Sequence, residues 1–119
     1  MNDSDGALLA LESATDINPG YDKAYGVMGE IYIERNDFKK AKEILNTAVT
    51  VNKDYQRGYA NLGKIYLEEE NWDQAISSLE NAVSLNGRDH NSFFRLANAH
   101  NNKGNCAAAK DAARKSTEL

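Results

Sequence analysis

The side chains here that could do chemistry are two histidines, one cysteine and a scatter of carboxylates. His90 stands at the expected start of a helix, with no nucleophile or carboxylate spaced to work with it. His100 occupies the place that Tyr66 holds 34 residues earlier and Tyr32 holds 34 before that, so it reads as a packed ring and not a base. Cys106 excludes an internal disulfide; no His or Lys adjoins it to favour the thiolate, and it is expected to be a small buried hydrophobe. Asp3, Asp5-Gly6 and Glu12 have the spacing of part of a calcium loop, but the first ligand would be Met1, and Ala7 to Glu12 belong to a helix. Glu68-Glu69-Glu70 falls at a helix C-terminus, where the dipole mildly disfavours carboxylates, and reads as a solvated end. The expectation is therefore no catalytic residue, no metal and no cofactor.

The charge balance narrows the partners. A net charge of -4 argues against nucleic acid, whose phosphates call for concentrated Lys and Arg. No apolar run approaches the roughly 18 to 20 residues of a spanning helix, and the start of the chain is acidic where a signal peptide is basic. Protein or peptide partners are expected, with no nucleic acid and no membrane insertion, and a cytoplasmic location is favoured.

The elements that must position these residues repeat with a period of 34. Tyr25 to Tyr32, Tyr59 to Tyr66 and Phe93 to His100 each begin with an aromatic, place a large apolar residue and then a tiny one at the centre, and end on a ring. A second set, Ala7, Leu11 and Ala14, recurs as Ala41, Leu45, Ala48, then Ala75, Leu79, Ala82, and weakens to Ala109, Ala113, Ser116. The pattern predicts an all-α chain of about seven helices: Gly6 to Asp16, Asp22 to Arg35, Phe38 to Val51, Gln56 to Glu69, Trp72 to Leu85, His90 to Lys103 and Cys106 to Glu118. Residues 1–5 are expected to be a disordered or appended start, 6–20 a half repeat, 22–55 and 56–89 full repeats, and 90–119 the terminal one. Asp37, Asn71 and Asn105 are expected N-caps. Asn36, Glu70 and Gly104 precede them; Asn and Gly tolerate a left-handed turn but Glu70 does not, so strain or a different turn is expected there. Short connections of this kind join antiparallel helices into hairpins, with Gly29, Gly63, Ala48 and Ala82 at the close approaches.

These residues resemble the tetratricopeptide repeat. Its signature is matched by Tyr25, Met28-Gly29, Tyr32, Ala41, Leu45, Ala48 and again by Tyr59, Leu62-Gly63, Tyr66, Ala75, Leu79, Ala82. The third copy, Phe93, Leu96-Ala97, His100, Ala109, Ala113, Ser116, is degenerate, and only Pro19 matches the terminal proline, which Lys53 and Gly87 replace. The resemblance covers residues 7–119 in one register. It implies an α-solenoid with a right-handed superhelical course, whose first helix of each pair lines a concave face that binds a partner's peptide.

Helical spacing then places Arg57, Asn61 and Lys64, followed by Phe94, Arg95 and Asn98, on that face as candidate partner-binding residues for a peptide carrying an acidic and an apolar residue. The adaptors that grip the C-terminal carboxylate of heat-shock chaperones would place basic and amide side chains where this sequence has Gly26, Glu30, Asn61, Asn91 and Arg95. Only Asn61 and Arg95 match, and Glu30 would repel a carboxylate. A competing expectation concerns the ends of the array. Leu8, Leu9 and Leu11 lack the helix that would cover them in a complete repeat, which points to self-association through this edge, or to a place in a longer array.

Overall fold

The computed structural model describes residues 3–118, which form seven helices and no strand. These are α1 (Asp3–Ile17), α2 (Asp22–Glu34), α3 (Phe38–Val51), α4 (Gln56–Glu68), α5 (Trp72–Leu85), α6 (His90–Asn102) and α7 (Cys106–Glu118). The second helix of each hairpin has the bounds expected from the period. Each first helix stops one residue early, because Arg35 and Lys103 already serve as C-caps. The chain divides into two compact units, Met1–Gly58 and Tyr59–Leu119.

At its start the structure corrects the sequence. Helix α1 begins at Asp3, not Gly6, so residues 3–5 of the expected disordered start are helical, while Met1 and Asn2 lie outside the described residues. Asp3 and Asp5 place negative charge in the first turn, where the helix dipole favours it. The Arg35 guanidinium then donates to Ser4 Oγ at 2.6 Å and to Asp5 Oδ1 at 2.5 Å, tying that turn to the end of α2.

Every hairpin turn uses one backbone device. Asn36, Glu70 and Gly104 all have positive φ (60°, 58° and 85°). The next residue donates its N–H five residues back along the chain: Asp37 to Tyr32 O at 2.9 Å, Asn71 to Tyr66 O at 2.9 Å and Asn105 to His100 O at 2.8 Å. This is the Schellman closure, which satisfies carbonyls a helix end would leave unpaired. Asp37 and Asn71 then cap the next helix, accepting from the N–H of Lys40 and Gln74. Glu70 therefore does not escape into a different turn. It adopts the left-handed conformation, which costs a side chain of its type about 1 to 2 kcal/mol.

The turns between hairpins depend on a residue the sequence reading passed over. Asn18, Asn52 and Asn86 stand 34 apart. The side-chain oxygen of each accepts an N–H two residues on, from Gly20 (3.2 Å), Asp54 (3.0 Å) and Arg88 (3.0 Å). Their carbonyls accept from Tyr21, Tyr55 and Asp89. An asparagine turn of this kind holds the bend without the proline missing at Lys53 and Gly87.

Packing in both units turns on small residues. In unit 1, Ala24, Met28, Ala41, Leu45 and Ala48 are buried, with Leu8 of α1. In unit 2, Ala75, Leu79, Leu96, Ala99 and Ala112 form one cluster, against which Tyr66, Ile76 and Val83 pack. A Cβ on Gly29 would overlap the Leu45 side chain, and a Cβ on Gly63 would overlap Leu79 at Cδ2 and Cγ. Both leucines are fully buried. In α7 the pattern turns: Ala109 and Ala112 are buried, whereas Ala113, in the place of Leu79, is exposed.

Two stability measurements check this account. Gly63→Val is expected to destabilise the fold by roughly 1 to 3 kcal/mol in urea unfolding, through overpacking on Leu79. Glu70→Asn is expected to stabilise it by about 0.5 to 1 kcal/mol, because Asn enters the left-handed region more cheaply.

Candidate functional site

The 34-residue repeat assigns scaffold duties on α6 to Phe93, Leu96 and Ala99, which are buried. It assigns none to the neighbouring Phe94, whose counterparts are Ala60 and Gly26, and Phe94 stands 66% exposed. Arg95 beside it is half-buried and has no hydrogen-bond or ion-pair partner among the described residues. One turn on, Asn102 Nδ2 donates to Asn98 O at 2.9 Å and to Asn98 Oδ1 at 2.7 Å. That bond occupies the Asn98 oxygen and fixes the side chain, leaving its NH2 group to donate.

Phe94, Arg95 and Asn98 share a hollow of about 490 Å³ with Asn91 and Asn102 of α6, Leu67 and Glu68 at the end of α4, Glu70 in the turn, and Trp72 at the start of α5. Glu70 and Trp72 are the members that sequence reasoning missed. The sequence gives Glu70 a turn and a solvated helix end, and Trp72 only the start of a helix; the departure of Glu70 from cheap turn chemistry is the one available signal. Asn61 is half-buried and Lys64 exposed on α4, and neither lines this hollow. A second hollow of about 450 Å³ is lined by Phe94, Ala97, Asn98, Asn101, Cys106, Ala109, Lys110 and Ala113. Cys106 is exposed there, which corrects its expected burial: the first residue of α7 has no helix over it among the described residues.

The remaining candidates lie in unit 1. Arg57 is not free for a ligand. Its Nη2 donates to Glu30 Oε2 at 2.6 Å and its Nε to Glu30 Oε1, a bidentate pair that satisfies both partners. The hydrogen bond to Glu30 raises the Arg57 pKa further, against a smaller lowering by burial. Leu8 is buried and Leu11 half-buried, so Leu8 cannot be part of an open apolar edge; Leu9 is 56% exposed and Ile17 87%.

The histidines show no catalytic arrangement. His90 Nδ1 lies 2.9 Å from Ser116 O, and His100 Nδ1 lies 3.4 Å from Asn105 Nδ2. Among the described residues no three His, Cys, Asp or Glu side chains are grouped to hold a metal ion, and no helix is long and apolar enough to cross a membrane.

The family model of the tetratricopeptide repeat protein 21 C-terminal ARM domain matches residues 10–115. No curated protein matches the sequence. Among solved structures, a crystal structure of MamA superposes with a TM-score of 0.86 at 22% identity, over 93% of this chain and 65% of that one. A second MamA structure gives 0.83 at 23% identity, over 96% and 62%. A MamA RS-1 ArsTM double mutant gives 0.85 at 20% identity, over 98% and 66%. The chain thus spans a little under two thirds of the first two MamA chains, and at these identities the likeness establishes the fold: an all-α helical-repeat solenoid class.

Tyr55 provides the sharpest test of the geometry around Arg57. Its hydroxyl sits where a side chain on Gly26 would be and is buried without a hydrogen-bond partner among the described residues. Burial raises its pKa above the ordinary 10.0; Arg57 opposes the shift, and Glu30 and Asp22 add to it. The stability held by the protonated phenol is therefore complete below pH 10 and is lost as the pH rises through the folded value. Tyr55→Phe is expected to stabilise the fold at neutral pH by about 1 kcal/mol, since an unsatisfied buried hydroxyl is removed. The variant should also lose the tyrosine titration that lies above the ordinary value, as followed by ultraviolet absorbance.

Proposed function

Because the chain belongs to the family of the tetratricopeptide repeat protein 21 C-terminal ARM domain, we propose that it is a protein-interaction module and not an enzyme. It takes a partner's peptide on the α6 face of unit 2, the face that the resemblance to the tetratricopeptide repeat implies is concave. The observation that carries this reading is Phe94, exposed at 66%, next to an unpaired, half-buried Arg95 over a hollow. An exposed ring costs nothing to pack against a ligand's apolar side chain. A guanidinium already partly stripped of water is suited to a ligand carboxylate, and aromatic and Arg residues are the usual anchors of protein interfaces. Asn98 adds an amide donor for a peptide carbonyl, while Asn61 and Lys64 on α4 extend the face. Arg57, in unit 1, is committed to Glu30 and is no part of this face.

A second reading, in which the chain assembles with copies of itself through α1, is supported by the exposure of Leu9 and Ile17. Leu8 supplies no part of it. A mass by light scattering that does not change with concentration, together with no effect of Leu9→Glu, would remove this reading.

For the primary reading, Phe94→Asp with Arg95→Glu is expected to abolish partner capture in a pull-down while helicity by circular dichroism stays unchanged. Both side chains lie outside the buried core, so the fold survives their reversal. Capture equal to that of the unsubstituted chain would discard this face as the site.

A further inference from the structure

The hollow beside Phe94 contains a second chemistry, opposite in sign to that of Arg95. Glu68 closes α4, Glu70 stands in the turn, and Trp72 opens α5, so three short stretches of chain bring two carboxylates and an indole to one lining. Both carboxylates are exposed, and neither has an ion-pair partner among the described residues, Arg95 included. Trp72 is half-buried and its indole N–H has no acceptor there. With Arg95 as the one cation lining the hollow, the lining is negative by one charge at neutral pH.

Neither carboxylate is where the fold alone would put one. The last turn of a helix exposes carbonyl oxygens and carries partial negative charge, which repels Glu68. Glu70 occupies a left-handed position that the other two hairpins give to Asn36 and Gly104. A solvated helix end accounts for the charges but not for two aromatic rings lining the same hollow. Carboxylates beside aromatic faces are the chemistry that recognises a guanidinium or an ammonium, through charge pairing at one end and attraction to the ring quadrupole at the other.

We propose that this hollow is a binding subsite for a cationic side chain, an arginine or lysine of a bound peptide, held by Glu68 and Glu70 against the faces of Trp72 and Phe94. The assignment rests on the reading of this face as peptide-binding and adds the ligand's chemistry. A basic residue enters the hollow, and an acidic residue meets Arg95.

Trp72 is the only tryptophan in the chain, so its fluorescence reports on this hollow and nowhere else. The probe is a blocked glycyl-arginyl-glycine peptide, compared with its citrulline counterpart, which keeps the shape and loses the charge. The arginine peptide should give a saturable change in Trp72 emission that weakens with salt, and the citrulline peptide should bind at least about tenfold more weakly. Glu68→Gln with Glu70→Gln keeps the size of both side chains and the turn conformation; it should remove that tenfold preference with the helicity unchanged. No saturable change, equal binding of the two peptides, or a preference that survives the double Gln variant would each overturn the proposal. A flat response combined with capture lost in the Phe94 and Arg95 variant sinks the cationic subsite and leaves the interaction face standing. A charge-dependent response with capture unaffected by that variant upholds the subsite and sinks the wider face.

Discussion

A leucine side chain seated on the bare backbone of a glycine sets the helix spacing in each unit. Leu45 rests on Gly29 in one and Leu79 on Gly63 in the other, and no Cβ fits at either glycine without displacing the leucine. The contact brings the two helices of a hairpin close enough for Ala41, Ala48, Ala75 and Ala82 to be fully buried. In the last hairpin both members change: Ala97 stands for the glycine and Ala113 for the leucine. The added methyl does not replace the lost isobutyl group, and the hollow lined by Ala97, Ala109 and Ala113 opens where the repeat loses its large residue.

Two kinds of turn preserve the register that this contact requires. Within a hairpin, a left-handed residue reverses the chain and the residue after it closes one helix, while Asp37 and Asn71 also cap the next. Between hairpins, Asn18, Asn52 and Asn86 fold their own amides onto the following backbone. Both devices satisfy backbone groups locally, so they work without the partners that a long loop would need. Glu70 is the exception, since it accepts the same geometry at a cost. Its carboxylate stands in the hollow with Trp72, Phe94 and Arg95.

The two candidate faces differ in how their charges are spent. In unit 1, Glu30 and Arg57 neutralise each other, and Tyr55 fills the space beside Gly26. In unit 2, Arg95, Glu68 and Glu70 share a lining without forming ion pairs. An ion pair already made must be broken before a ligand can use either half, whereas unpaired charges around a hollow are available at once. Helical spacing alone does not distinguish the two faces.

The sequence by itself determined the seven helices, the bounds of the second helix of each hairpin and the hairpin order. Those depend on local signals that repeat every 34 residues: an aromatic, a large apolar residue beside a tiny one, and a capping side chain. It also singled out Phe94 and Arg95, since both depart from the repeat at positions with no packing duty. Only the tertiary structure decided that Arg57 is committed to Glu30, that Leu8 is covered while Leu9 is not, that Cys106 is exposed, and that Glu70 and Trp72 join Phe94 in one hollow. Pairing and burial depend on side chains from separate helices meeting, such as Glu30 and Arg57, 27 residues apart. Periodicity states which face of a helix a residue occupies, but not which neighbour arrives on that face.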